Sequence, residues 1–538
     1  MQTSFIYNHC IAHACRVLAI GLACTTASAQ IPATIDTSFV PAKDPGSTLR
    51  EGWQYGAFME IFVRGYQDSD GDGIGDLQGL TQRLDYLKDL GIKGIWLMPV
   101  TASADHDHGY ATTDFRALEK AYGSLEDFDE FLRQAHARGI GVIMDYVINH
   151  SAASHPMFVS AASSKDAPFR DWFVWQDPAP QGWDIWGKNP WTTTPNGTYF
   201  GTFGPHMPDF NMRNPATLEY HQSSLRFWLN RGLDGYRLDA VPHLIENNAK
   251  DWNDQPESRK MTRDLRQLIT NYNKRYVVCE ATAKPLDYGT PELCGSAFAF
   301  GHQYNIVKAV KGDVKAIADV ADYFRTAPPS MATMVSNHDI FAGDRLWDQV
   351  NGNMAQYKLA AATYLLQPGT PFIYYGEEIG MGGIKGLAGD EPLRAPMAWA
   401  SGFKNAGFSS GTPYRPVAPN AANHNVATQS NQKNSILAFY KTLLRLRNDH
   451  PSIARGHYEK PFVQGQVMGY QRSWDKETTL VLTNYGKTRA RIALKDLPTQ
   501  ARLMSLYPAT KTGHRANRSG TFSIAIPAQS TQVFLVRK

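Results

Sequence analysis

The sequence predicts an α/β fold: a (β/α)8 TIM barrel with a domain inserted after its third strand and an antiparallel β-sandwich at its C-terminal end. Three observations predict it. Short apolar, β-branched runs alternate with amphipathic stretches through most of the chain. Roughly 85 residues rich in Trp, Pro, Gly and Asn interrupt that alternation between the third and fourth runs, far more than a loop needs. After about residue 455 the helical patterns stop and alternating strands take over.

Residues 1–29 contain one charged residue, Arg16, a short apolar run at 17–23 and the small-residue pattern Ala27-Ser28-Ala29. That is the signature of a secretory signal peptide cut near Gln30. The run is too short to span a bilayer. Leu22-Ala23-Cys24 faintly resembles a lipoprotein processing site, but Gly21 stands where Leu is usual. The expectation is an exported protein, periplasmic or extracellular, with no membrane anchor. Residues 30–51 read as an extended N-terminal arm.

The barrel's first part, 52–148, holds candidate strands at 54–63, 92–100 and 140–148, with amphipathic stretches such as 77–90 and 125–138 between them. The insert covers 149–232. The second part, 233–454, supplies 233–241, 276–281, 331–336 and 370–375, and Ser296-Ala297-Phe298-Ala299-Phe300 offers a less regular eighth. Residues 455–538 form the sandwich, with strands such as 479–483 and 531–536.

Composition narrows the function. The chain has 538 residues, 12% aromatic and 19% charged, with 54 Lys and Arg against 50 Asp and Glu. It is too aromatic and too weakly charged to be disordered. Its near-neutral balance gives no electrostatic case for nucleic acid or an anionic membrane. Flat rings stack on pyranose faces, so the aromatic content fits a sugar-binding protein as well as an ordinary core. Of five cysteines, Cys10, Cys15 and Cys24 go with the signal. Cys279 and Cys294 could be a disulfide in an oxidising compartment or two separate buried thiols.

Polar residues gather at the C-terminal ends of the apolar runs, where a β/α barrel builds its active site. The third run ends in Asp145 through Asn149 and His150. The fourth ends in Arg237, Asp239 and His243, the fifth in Glu280, and the seventh in Asn337, His338 and Asp339. Three carboxylates from three strands, with an Arg and His residues, are costly to converge without a function. Such a set can hydrolyse acetals: one carboxylate attacks the anomeric carbon and another, kept protonated, donates to the leaving oxygen.

These segments resemble the conserved regions of the α-amylase family of glycoside hydrolases (family 13), over about 52–450. Met207-Pro208-Asp209-Phe210-Asn211, the stretch 369–381 and the stretch 390–399 match as well, and the fifth-region motif is similar to members between the oligo-1,6-glucosidase and neopullulanase groups. The resemblance implies that Asp239 is the nucleophile, Glu280 the general acid/base and Asp339 the third carboxylate. It implies that Arg237 orients Asp239, that His150 and His338 bond the sugar at the cleaved position, and that Tyr110 stacks beneath it. Asp107 and Arg345 are candidates for holding a terminal glucose, or solvated loop charges. Asp145 is expected as a scaffold residue beside the Arg.

A second motif, Asp68-Ser-Asp70-Gly-Asp72-Gly-Ile74-Gly-Asp76, resembles the start of an EF-hand loop, but its twelfth position is Gly79 rather than Glu. The family often carries Ca²⁺ there, so Asp68, Asp70, Asp72, the Ile74 carbonyl and Asp76 are the expected ligands. A second family Ca²⁺ site, using Asn149 and the His243 carbonyl, is in doubt because Asn211 and Pro242 depart from its pattern. The export signal favours a retaining α-amylase on α-1,4-glucans or maltooligosaccharides. The alternative is an exo-acting α-glucosidase or transglucosylase on short α-glucosides. A non-catalytic sugar-binding protein is remote because all three carboxylates are present. A monomer is expected.

Overall fold

The barrel closes through eight positions. In the computed structural model, which describes residues 35–402, 404–495, 497–509, 514–517 and 520–537, seven strands form one parallel sheet. In chain order they are Phe58–Ile61, Gly94–Leu97, Gly141–Tyr146, Gly235–Leu238, Tyr276–Cys279, Ala332–Thr333 and Thr370–Tyr374. The last pairs with the first, with Phe58 opposite Phe372. The irregular segment 296–300 fills the remaining gap by single parallel bridges, Cys279 to Ala297 and Phe298 to Ala332. It is the sixth position. The expected signal, 1–29, lies outside the described residues.

The strands read as apolar because both faces are covered. Inward-pointing Phe58, Trp96, Ile143, Val278, Phe298 and Phe372 form one buried cluster that plugs the barrel. Gly94 makes room for it, since a Cβ there would lie 2.3 Å from the Phe58 ring. Two residues further along three of these strands, on the same face, stand Glu60, Asp145 and Glu280. A layered apolar floor therefore carries a charged top.

Helices such as Leu125–Ala137, Pro215–Asn230, Pro256–Thr270 and Met354–Leu366 surround the sheet. Each starts on a local signal. Ser124 and Asp127 form a reciprocal capping box, and Asn214 caps a helix with Pro at its first turn. Pro215–Asn230 leads directly into the fourth strand, so the last part of 149–232 supplies the barrel's own helix. The arm 35–51 has no regular structure and is tied along the outside: Lys43 N–H donates to Asn230 (2.8 Å) and Asn273 N–H to Asp44 (2.8 Å).

Within the insert, Trp175–Gln176, Gly197–Phe200 and Trp191–Thr194 make a three-stranded antiparallel sheet with Gly197–Phe200 in the centre. At the C-terminal end a six-stranded antiparallel sheet and the pair Ala490–Leu494 with Phe522–Ile526 share a buried core of Leu480, Leu482, Ile492, Leu503, Ile524 and Phe534. Tyr470 and Tyr485 are buried, and the Tyr485 hydroxyl lies 2.8 Å from Thr363 of the barrel. They are core residues.

Candidate active site

A cavity of about 580 Å³ opens at the C-terminal ends of the strands. Its wall includes Asp239, Glu280, Asp339, Tyr110, His150, Arg394 and Trp186. The strand ends therefore bring the three predicted carboxylates together, although they are as much as 100 residues apart in the chain.

Arg237 organises them from below. Its guanidinium, buried over the Trp96 ring (5.4 Å), donates to Asp145 (2.9 Å) and to Asp239, and pairs with Glu280 (3.1 Å). The chain turns sharply after Asp239: Ala240 sits at φ 49°, a left-handed conformation uncommon for a residue with a side chain. This turn aims the Ala240 N–H at Glu280 (3.0 Å), tying the ends of the fourth and fifth strands together. Tyr110 donates its hydroxyl to Asp145 (2.8 Å), which holds the ring at the cavity wall.

Burial pushes the Glu280 carboxyl up, against the pull of Arg237 and with the help of Asp239 and Asp339, to about 7. Burial also raises Asp239, but there Arg237 is in closer contact and opposes it. Burial alone would raise Asp339; His338 and Arg394 outweigh it and hold this carboxyl at about 2. His338 is the counterpart. Burial disfavours its charge, but Asp339 and Glu60 overcome that and push it up to about 10, so it is an imidazolium at neutral pH. Burial pulls His150 down to about 3, so its ring is neutral.

Two of the predicted sugar contacts lie off the cavity wall. Arg345 is buried away from the cavity, where it donates to the carbonyls of Leu393 (2.9 Å) and Tyr375 (2.8 Å) and lies over the Tyr374 ring. His338 lies behind the wall: Nδ1 meets Glu60 (2.5 Å), and Nε2 meets the Tyr110 hydroxyl (2.7 Å) and Asp339 (3.1 Å). Its nitrogens are thus engaged by protein groups, and it positions Asp339. His150, in contrast, lines the cavity, with the Tyr110 backbone beside its ring.

Sequence reasoning missed Arg394, Arg415, Glu60 and Asp105. Arg394 lines the cavity and reaches Asp107 (3.4 Å), Asp390 (3.4 Å) and Asp339 (3.7 Å). Arg415 meets Asp107 from the other side (3.1 Å). Asp107 is held in place by Asp105, whose carboxylate accepts the N–H groups of Asp107 (2.8 Å), Gly109 (2.9 Å) and Ala111 (2.9 Å). Arg394 stands in the 390–399 match, and Glu60 is a charge within an apolar run; both were signals of the kind that found Glu280.

In the loop 68–76, Asp68, Asp70 and Asp76 each bring a carboxylate oxygen within 4.8 Å of the others. Three oxygen donors so close suit a hard cation. Asp72 does not belong to this group; its carboxylate accepts the Ile74 N–H (2.7 Å). Asp209, the insert's acid near Asn149, gives its two oxygens to Thr202 (3.0 and 2.5 Å). No other group of three possible ligands occurs among the described residues.

Inward carboxylates at a barrel mouth, one gripped by an Arg and another pushed up by burial, are the arrangement of a glycoside-processing enzyme. The catalytic-domain model of the α-amylase family matches residues 60–456, and the chain belongs to that family of glycoside hydrolases. It is 32% identical over 448 residues to an enzyme named α-amylase 3 of Dictyoglomus thermophilum, covering 81% of this chain and 86% of that one. It is 32% identical over 465 residues to a trehalose synthase/amylase of Mycolicibacterium smegmatis, covering 76% and 78%. The crystal structure of the trehalulose synthase of Pseudomonas mesoacidophila MX-45 superposes with a TM-score of 0.78 at 26% identity, covering 91% of this chain and 100% of that one.

Proposed function

We propose that this protein is a retaining α-glucosidase or transglucosylase that acts on the ends of short α-glucosides. The observation that carries this reading is Arg394 in the cavity wall, backed by Asp107, which Arg415 meets from the other side. A charged barrier beside the catalytic carboxylates stops a polymer from running through and offers ionic hydrogen bonds to the hydroxyls of a terminal sugar. Relatives named for making disaccharides support it. Starch cleavage of the α-amylase type, favoured by the export signal, becomes the outcome that would overturn it.

In this reading Asp239 attacks the anomeric carbon while Glu280 gives its proton to the leaving oxygen. Glu280 then takes a proton from the water or sugar hydroxyl that attacks the glycosyl–Asp239 ester. Two carboxylates gripping one guanidinium favour the close pair of a retaining enzyme, about 5–5.5 Å apart. Asp339, kept ionised by His338, holds sugar hydroxyls; Tyr110 stacks under the ring; His150 bonds it. Ca²⁺ in the 68–76 loop braces the connection after the first strand, and the enzyme works outside the cytoplasm.

The test is the order of products from maltoheptaose and soluble starch. Glucose, or glucose moved to an acceptor, should leave one unit at a time with little early loss of iodine staining. Rapid loss of staining with mixed oligosaccharides would overturn the exo reading.

A further inference from the structure

The insert concentrates aromatic residues, but most are spent on packing. Trp175 stacks on Phe158 (5.8 Å), Trp183 meets Trp191 (5.7 Å), and Trp172 meets Tyr220 (5.8 Å). Trp186 differs. It lines the catalytic cavity and is 61% exposed.

Its backbone is as unusual as its exposure. Ile185 and Lys188 exchange hydrogen bonds (2.8 and 3.0 Å), so Trp186 and Gly187 form the two-residue tip of a hairpin. Both have positive φ, 49° and 81°. Such a turn favours Asn-Gly, and a bulky residue in its first position is an outlier. Asp184 holds the turn by accepting the Gly187 N–H (2.6 Å). The ring is buttressed edge-on by Trp252 (5.4 Å, 89°) and His243 (5.5 Å, 79°), which themselves stack (5.3 Å, 11°). An exposed ring in a strained turn, braced by other rings beside a catalytic cavity, is shaped for a ligand.

We infer that Trp186 is the stacking platform of the acceptor subsite, recognising the pyranose that departs from or attacks the glycosyl–Asp239 ester. The inference rests on the proposed function and names what the other half of the cavity selects. Tyr110 and Arg394 take the donor sugar. The leaving oxygen must face Glu280, and the same cavity wall carries three rings: Trp186 and Phe203 from the insert, and Phe341, 45% exposed, from the loop after Asp339, with Thr282, His243 and Asp390 as polar neighbours. Sugar faces that carry C–H groups suit these rings, and sugar hydroxyls suit the polar groups among them.

Trp186→Asn removes the ring but keeps a residue suited to the turn, and Trp186→Phe keeps a ring. Both are assayed on maltose and on α-glucosyl fluoride, whose leaving group puts no sugar in the acceptor subsite. Trp186→Asn should lower kcat/KM for maltose about tenfold and leave α-glucosyl fluoride within about twofold. With maltose as acceptor, it should also lower the ratio of transfer product to free glucose. Trp186→Phe should restore most of both. Equal losses on the two substrates, or no loss on maltose, would overturn the inference while leaving the proposed function intact. A wild-type enzyme inert on both substrates would overturn the proposed function and this inference with it.

Discussion

Glu280→Gln separates the proton donor from everything else the site does. The carboxyl is buried between Arg237 and the carboxylates of Asp239 and Asp339, and its pKa is pushed up to about 7. In the wild type, kcat/KM should therefore fall above about pH 7, by tenfold per unit once the proton is gone. Glutamine matches the shape but has no such proton. A positioned donor contributes about 10²–10⁴-fold, or roughly 3–5.5 kcal/mol at 1.36 kcal/mol per decade. On maltose the variant should lose activity by that factor and show no alkaline limb. On α-glucosyl fluoride, whose leaving group needs little protonation, the first turnover, read as a burst of fluoride, should be far less affected. Later turnovers slow because the general base is also missing. Retention of the alkaline limb in the variant, or an equal loss in the fluoride burst, would refute the assignment of Glu280.

Asp107→Asn leaves Arg394 and Arg415 without their shared carboxylate. Losing a charged hydrogen bond to a terminal-sugar hydroxyl should cost about 1.5–3 kcal/mol, read as roughly a 10–150-fold fall in kcat/KM on maltose; unchanged kinetics would remove Asp107 from the site. Chelation should lower the thermal midpoint by a few degrees, with recovery on adding Ca²⁺. Ligand at a hundred times its dissociation constant stabilises by about 2.7 kcal/mol; Asp68→Asn should abolish the response, and an unmoved midpoint with no Ca²⁺ in the purified protein would dismiss the metal. Cys279 and Cys294 are bonded in the structure, 15 residues apart. The Cys279→Ser/Cys294→Ser pair should destabilise by about 3 kcal/mol on the loop-entropy model, and reduction of the denatured wild type should release two additional thiols; no release would mean the bond does not form.

The barrel was legible because each strand is a short apolar run bounded by polar residues, and the convergence of Asp239, Glu280 and Asp339 because they end those runs. The segment 296–300 was the least regular run, and it is also the one that pairs only by isolated bridges. The open question at Cys279 and Cys294 could not be closed from sequence, since it turns on a Cα separation of 6.2 Å. Arg345 misled for the opposite reason: it follows Asp339 by six residues, but the chain turns it inward to backbone carbonyls. The short turn Glu391–Leu393 instead delivers Arg394 to Asp339 from farther along the chain. Similarly, nothing in the sequence indicated that a His338 nitrogen meets Glu60, 278 residues away. Proximity in sequence is a weak guide wherever loops from several strands converge on one mouth. Composition marked the insert as rich in tryptophan but could not separate the packed rings from Trp186.

The charge arrangement at the mouth is what makes these assignments mutually dependent. Among the described residues, Arg237 is the cation that pairs with all three of Asp145, Asp239 and Glu280. One guanidinium cannot balance three ionised carboxylates in a buried site, so a proton must reside among them. Asp145 also accepts from Tyr110, and Asp239 is in the closest contact with the guanidinium, whereas Glu280 has the longest of the three contacts and feels two further carboxylates. The proton therefore belongs on Glu280. Asp339 is ionised chiefly by other cations, His338 and Arg394, and its charge adds to the pressure on Glu280. These charges have a direct consequence at His338. Replacing it with Asn removes the imidazolium that holds Asp339 low, so Asp339 should titrate at higher pH. Maltose binding should then weaken toward acid pH, beginning at a higher pH than in the wild type. An unchanged pH dependence of maltose binding would show that His338 does not hold Asp339 ionised.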